Sequence, residues 1–246
     1  MAKTALILGG TKGLGLSLSW EAHNRQVRPI IAGRSTGDTV NETFPPSYDF
    51  LRLDLSDPES VEQQFARRSV GPVDYVFWVA GNFHRQALDK MPPEWIESMV
   101  GTHLSGPVRA LELIHFQLHY SLKHPYHLVT IASTSSWRIR DNESLYCALK
   151  AAKAAFTRNF ALELGRDLPG SKTTLINPGG MRTALFDGTG QDVSKFMDPD
   201  DVAKIIWDEV ESQQSLFKEV QIMRDSNGDP SVSYGPRTPE LPSDRY

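Results

Sequence analysis

The chain has a single cysteine, Cys147, so no internal disulfide can brace the fold, and that usage fits a reducing compartment. It has no apolar run of membrane length, and strand-like sequence begins at Lys3 with no leader ahead of it, so the expected setting is cytoplasmic. It has no long basic tract, and its formal net charge of −4 argues against nucleic acid or a membrane as partner. No repeat at solenoid spacing is present. At 246 residues the chain can bury a full core as one domain. That domain is expected over residues 1–235, with 236–246 as a flexible tail whose prolines deny it regular pairing.

What the chain does have begins at its start. Lys3-Thr4-Ala5-Leu6-Ile7-Leu8 reads as a strand buried in a parallel sheet. It runs into Gly9-Gly10-Thr11-Lys12-Gly13-Leu14-Gly15, and Leu14, Leu16, Leu18 and Trp20 then mark a helix ending near His23-Asn24. A glycine turn between strand and helix lets the backbone approach a phosphate, while the helix offers free N–H groups and its positive dipole end. Gly9, Gly13 and Gly15 form G-x-x-x-G-x-G, spaced differently from the common dinucleotide fingerprint G-x-G-x-x-G.

A further absence sharpens the assignment. The second strand, Val27 to Ala32, ends in Gly33-Arg34-Ser35, where an NAD site would carry an acid for the ribose 2′-hydroxyl. No acid stands there. Arg34, helped by Lys12 and bordered by Ser35, suits a 2′-phosphate, because a guanidinium presents a planar fork of donors. The expected cofactor is therefore NADP(H) rather than NAD(H).

Chemistry enters with Ser133, Tyr146 and Lys150. Ser133 follows the apolar run Leu128-Val129-Thr130-Ile131 and so belongs at a carboxyl strand end, where ligands gather in open α/β sheets. Tyr146 and Lys150 are one helical turn apart on one face, so the ammonium is expected to favour the phenolate of a tyrosine that otherwise titrates near pH ~10. The three together can move a proton to or from a carbonyl oxygen.

With these motifs on the page, the chain resembles the short-chain dehydrogenase/reductase family from about Lys3 to about Val210. The resemblance rests on Gly9-x-x-x-Gly13-x-Gly15, Leu53-Asp54-Leu55, Asp74 through Gly81, Ser133, Tyr146-Cys147-Ala148-Leu149-Lys150 and Asn177 through Thr183, with Ser133 thirteen residues before Tyr146. It implies a single-domain Rossmann-type α/β fold, a doubly wound parallel sheet of about seven strands with helices on both faces. It also implies roles. Asp54 would bond the adenine amino group and Leu55 supply backbone contact; Ala80 and Gly81 would form the floor under the adenosine ribose. Tyr146 would be the general acid or base, Lys150 would bind the nicotinamide ribose, and Ser133 would hold the substrate oxygen. Pro178, Gly179, Met181 and Thr183 would cover the nicotinamide. The family commonly pairs through two long helices, here about Ser105–Lys123 and Ser144–Leu168, so a homodimer or homotetramer is expected.

Two positions depart from the family pattern. Trp78-Val79 replace the Asn-Asn of Asn-Asn-Ala-Gly, and His103 replaces an Asn that helps hold a water beneath the catalytic lysine. His103 can donate and accept, so it is a candidate relay, expected to titrate near pH ~6.5, or else a packing residue. His115 and His119, four apart on a helix, lack an evident third ligand, so no metal is expected. Cys147 reads as a small buried residue. Pro29 inside the second strand is unusual.

The aromatics and methionines near Phe83, Trp137 and Met181–Phe196 suggest a small or medium carbonyl or alcohol substrate under a lid between Thr183 and Asp200. Arg138, Arg140 or Arg182 can meet a carboxylate or stay solvated. The leading reading is an oxidoreductase moving hydride between NADP(H) and that substrate. The alternatives are a non-catalytic NADP(H) sensor and an epimerase or dehydratase that recycles its cofactor.

Overall fold

The structure, a computed structural model, describes residues 2–35, 43–67 and 69–236. Of the tail expected over 236–246, all but Pro236 lies outside them. In chain order the main elements are β1 (Thr4–Leu8), α1 (Gly13–Asn24), β2 (Arg28–Gly33), β3 (Asp49–Arg52), α2 (Pro58–Arg67) and β4 (Tyr75–Trp78). They continue with α3 (Pro93–Val100), α4 (Gly106–Phe116), β5 (His127–Ile131), α5 (Ser144–Asp167), β6 (Lys172–Pro178), α6 (Pro199–Ser212), β7 (Phe217–Arg224) and β8 (Pro230–Tyr234). The strands form one sheet in the order β3-β2-β1-β4-β5-β6-β7-β8. All neighbours are parallel except β8, which pairs antiparallel with β7. This is the doubly wound Rossmann-type architecture, and β8 adds an antiparallel edge to the parallel strands expected.

The period-2 alternation of a strand explains both layers. On β1, Leu6 and Leu8 face a core shared with Ala110, Leu111 and Ile114 of α4 and Leu164 of α5. Ala5 and Ile7 point the other way, into a core built with Leu14, Leu18 and Ala22 of α1 and Val202, Ile206 and Trp207 of α6. Because both faces are covered, β1 is buried at every position, which is why it reads as a continuous apolar run.

Trp207 anchors the second layer. It is fully buried, its Nε1 donates to Leu18 O at 3.1 Å, and its ring meets Tyr75 and Phe77 at 5.1 and 4.9 Å. Outside it, Arg25 at the end of α1 pairs with Glu21, Asp208 and Glu211 and ties α1 to α6.

Pro29 now has a physical account. It lies opposite Ala5 on β1, but pairing with β3 begins only at Ile30 opposite Asp49. Arg28 N donates toward β1, to Lys3 O, so by alternation the missing N–H of Pro29 faces the side where no ladder has yet started.

Two stretches flanking α4 are π-helical, Gly101–Ser105 and Gln117–Leu122. Such wider turns often occur at functional sites; the first carries His103. Among the described residues, no helix is long and apolar enough to cross a membrane.

Trp207→Ala removes a buried aromatic and its hydrogen bond, with an expected loss of about 3–5 kcal/mol in unfolding free energy. Urea denaturation measures it; a loss below about 1 kcal/mol would mean the α1–α6 layer is not held there.

Candidate active site

The first face of the site is the turn between β1 and α1, at the point where the strand order reverses and β1 lies between β2 and β4. Gly9 has φ +90, and a Cβ there would lie 2.7 Å from Ala80 Cα. Gly15 packs on the Gly9 carbonyl too closely for any side chain. The turn thus needs glycine at Gly9 for both conformation and space, and at Gly15 for space. Lys12, the residue preceding α1, makes no side-chain cap, and the first turn holds no acidic side chain. The opening N–H groups are therefore free of side-chain partners and suited to an anion. Leu14 is buried beneath them.

Thr11 packs its side chain on Gly33 at the end of β2, where a Cβ would lie 2.5 Å from Thr11 Cγ2. This contact brings the glycine turn to Arg34 and Ser35. Arg34 and Lys12 are both exposed, and Ser35 is half-buried. Asp54 Oδ1 accepts from the N and Oγ of Ser56 at 2.9 and 2.6 Å, which fixes the carboxylate after β3. The backbone of Leu55 rests on Gly106 at the start of α4, too close for a Cβ. Ala80 is anchored by its N–H to Leu8 O at 2.8 Å.

The second face carries the titratable groups. Ser133 follows β5, and its Oγ accepts from Ser135 N at 3.1 Å. Tyr146, in the first turn of α5, is buried with its ring 4.7 Å from Phe83 and 5.6 Å from His103. Burial pushes the Tyr146 hydroxyl up, and a hydrogen bond with Ser133 offsets part of that. Burial dominates, so the hydroxyl moves up rather than in the direction expected from the lysine spacing. Lys150 Nζ is 5.5 Å from the Tyr146 ring centroid and donates to Ile131 O at 3.3 Å. Burial lowers Lys150 to about 7.

His103 is fully buried beneath these groups. Its Nε2 lies 2.6 Å from Asn82 O and 3.0 Å from Asn82 N, while Nδ1 has no partner. A Cβ on Gly81 would fall 2.8 Å from His103 Cε1, so the ring lies directly under Gly81. Burial first, then the charges of Lys150 and Lys153, hold this imidazole well below the usual histidine range. A relay titrating near pH ~6.5 is thereby corrected: His103 stays neutral across the physiological range.

The loop after β6 closes the site. Thr183 packs against Gly13, with Cγ2 3.1 Å from the Cβ that Gly13 lacks. Phe196 lies on Gly180, Met181 bridges to Met197, and Pro178 at the end of β6 is buried with Gly179 half-buried after it. Phe186 contacts Phe83 at 5.6 Å and Phe196 at 5.0 Å, so an aromatic chain covers Tyr146. Arg182 is engaged with Phe196 O and Asp198, which takes it away from a substrate carboxylate. Arg138 Nη2 lies 3.5 Å from Met223 Sδ, and Arg140 is exposed.

Several features escaped sequence reasoning. Lys153 is fully buried below Lys150; its only signal was a lysine three positions on, in the alanine-rich run Ala151 to Ala155. Glu143, largely buried before Tyr146, is pushed up by burial. Cys147 is half-buried rather than buried. A third group does stand beside His115 and His119: His115 Nε2 is 3.3 Å from Asp167 Oδ2, and the three ligand atoms lie within 4.8 Å of one another. Asp167 also pairs with Arg166, and the His115–Asp167 contact reads as a hydrogen bond between helix ends, with burial holding His115 below the usual histidine range.

Comparison with known proteins follows this geometry. The short chain dehydrogenase profile matches residues 3–194. An uncharacterized oxidoreductase of Staphylococcus aureus is 27% identical over 211 residues, 83% of this chain and 89% of that protein. A short-chain dehydrogenase/reductase from Vibrio parahaemolyticus superposes with a TM-score of 0.73 at 26% identity, over 90% of this chain and 97% of its own. An alcohol dehydrogenase from the archaeon Thermococcus sibiricus, complexed with 5-hydroxy-NADP, shares the fold at TM-score 0.73 and 22% identity, over 89% of this chain and 95% of its own.

Because His103 is held neutral, His103→Asn should leave the shape of any pH–rate profile unchanged between about pH 5.5 and 8. A limb that moves within that window would restore a titrating imidazole.

Proposed function

The chain belongs to the short-chain dehydrogenase family, and we propose that it is an NADP(H)-dependent oxidoreductase that reduces a small or medium carbonyl compound, or oxidises the matching alcohol. The observation that carries this reading is the buried Tyr146, bonded to Ser133 and backed by Lys150.

The residues fit a dinucleotide. The crowding at Gly9 and Gly15 keeps side chains off those two positions of the turn, and the uncapped start of α1 suits a pyrophosphate. Thr11, Gly13 and Leu14 complete that turn. Arg34 and Lys12, with Ser35, would take a 2′-phosphate; the exposure of the two cations and the lack of an acid among Gly33, Arg34 and Ser35 support NADP(H) over NAD(H). Asp54 and Leu55 would meet the adenine, Ala80 and Gly81 the ribose, and Pro178, Gly179, Met181 and Thr183 the nicotinamide. When bound, the nicotinamide supplies or accepts the hydride.

The chain's own residues handle the proton. Tyr146 is protonated at neutral pH because burial raises it, so its Oη can donate to the developing alkoxide while Ser133 Oγ orients the substrate oxygen. Lys150, poised at about 7 by burial, can return a proton to the tyrosine oxygen. Phe83, Phe186 and Phe196 exclude water above Tyr146, and with Trp137 they favour an apolar substrate body. Phe116, Tyr120 and Leu162 are exposed on and just after α4 and on α5, at 60%, 62% and 69%. That apolar surface supports a homodimer or homotetramer through these helices. A reducing, cytoplasmic setting suits the half-buried Cys147 thiol.

Tyr146→Phe keeps the ring packing and removes the proton; turnover in a carbonyl screen should fall at least about 100-fold while NADPH binding persists. Retained turnover would remove Tyr146 from the chemistry. Arg34→Ala should weaken NADPH about tenfold to a hundredfold, and NADH less than about threefold, in a fluorescence titration. Equal losses for both cofactors would sink the 2′-phosphate assignment.

A further inference from the structure

The corner where α4 runs into the π-helical stretch Gln117–Leu122 has no part in the mechanism above. His115, in the last turn of α4, and His119, in the π-helical stretch, stand four residues apart on one face. Asp167, the last residue of α5, meets them from the second helix. One ligand atom from each of the three lies within 4.8 Å of the others, and all three residues are half-buried. Wider π turns often accompany functional sites, and this one carries His119.

The spacing suits a particular kind of ion. His115 Nε2 and Asp167 Oδ2 are 3.3 Å apart, at the long end for an N–H···O bond. Two ligands on a tetrahedral zinc, with bonds of about 2.0–2.2 Å, stand about 3.3–3.5 Å apart. Neighbouring ligands on an octahedral magnesium, with bonds of about 2.0–2.1 Å, stand only about 2.8–3.0 Å apart. Two imidazoles and one carboxylate are also a zinc-type donor set, whereas magnesium and calcium take oxygen. The His119 ring has its centroid 5.5 Å from that of His115, and a side-chain rotation closes the remaining gap.

Each ligand is held from behind. Arg166 Nε donates to Asp167 Oδ1 at 2.8 Å, which leaves Oδ2 turned to His115. His115 meets Phe160 edge-on at 5.4 Å, and its Nδ1 lies 3.4 Å from Tyr126 Oη. With Nε2 on a metal, the imidazole proton sits on Nδ1 and donates to the buried Tyr126 hydroxyl, the usual outer contact of a ligating histidine. His119 stacks on Tyr120 at 4.3 Å. Asp167 and Glu163, one turn earlier on α5, bring negative charge towards His115.

We propose that His115 Nε2, the His119 imidazole and Asp167 Oδ2 bind one Zn²⁺ per chain, with water as fourth ligand, and clip the end of α4 to the end of α5. The clip joins the helices that lead into β5 and β6, at the amino end of both strands and opposite the carboxyl ends that carry the candidate active site. Asp167 and Tyr146 lie near opposite ends of the same helix, about 31 Å apart along its axis at about 1.5 Å per residue. The ion is therefore structural and takes no part in the reaction.

The whole protein, treated with a chelator and dialysed, would be titrated with ZnCl₂ by calorimetry. One ion should bind per chain with micromolar or tighter affinity and raise the melting temperature. Co²⁺ in its place should show the intense visible bands of a four-coordinate ion. His119→Ala and Asp167→Asn, both at partly exposed positions, should each weaken Zn²⁺ binding at least about 100-fold. Tyr126→Phe keeps the ring, removes the hydroxyl and should weaken it about tenfold. Mg²⁺ at the same concentration should not compete.

Millimolar binding, one ion shared by two chains, effective competition by Mg²⁺, the pale spectrum of six-coordinate Co²⁺, or an affinity unmoved by His119→Ala and Asp167→Asn would each overturn the proposal. An affinity unmoved by Tyr126→Phe would overturn binding through His115 Nε2. No readout here depends on turnover, so a failure of the oxidoreductase mechanism would leave the zinc test standing.

Discussion

The carbonyl of Gly9 lies against the start of α1, with no room for a side chain on Gly15, while Gly9 itself touches Ala80 at the end of β4. These two backbone contacts bring β1, β4 and α1 together at the point where the sheet changes direction. Most of the candidate site is arranged around that junction. Ala80 extends β4 into Gly81, Gly81 covers the His103 ring, and the Ala80 carbonyl accepts from Lys153. A side chain at Gly9 or Gly15 would push the helix away from the strand ends and disturb the glycine turn and the lysine pocket together.

The site is also unusual in how it balances charge. Tyr146, Lys150, Lys153 and His103 are all buried, and burial acts on each in the direction of its neutral form. No carboxylate is among them; carbonyl oxygens and the Trp78 face meet the amines instead. Trp78 stands where the family resemblance places an asparagine, and its ring face meets Lys153. The two departures noted in the sequence, Trp78 and His103, thus border the same pair of lysines. A change that looked like loss of polar structure is, in three dimensions, part of a differently built pocket.

Much of this was legible before any coordinates. The continuous apolar run of β1 implied a strand covered on both faces, and both cores are there. The glycine spacing implied a tight turn from strand to helix, and the four-residue step from Tyr146 to Lys150 implied one helix face. Pro29 was an anomaly in sequence because the register of β3 is not encoded locally; pairing that starts at Ile30 removes the conflict. Lys153 was missed for a similar reason. Its helix is alanine-rich with little amphipathic contrast, so nothing in its spacing marks which side faces the strand ends. The approach of Asp167 to His115 was likewise invisible, since it joins helices 52 residues apart.

The sequence by itself determined the parallel sheet, the glycine turn after β1, the cationic end of β2 and the placing of Tyr146 and Lys150 on one helix face, because each is carried by local spacing and residue chemistry. Tertiary structure decided the charge states. How far a tyrosine, a histidine or a lysine is pushed toward its neutral form depends on desolvation and on which charges, carbonyls and rings surround it. Those neighbours come from β4, β5, the π-helical turn and α5, segments far apart in the chain and joined only by the sheet.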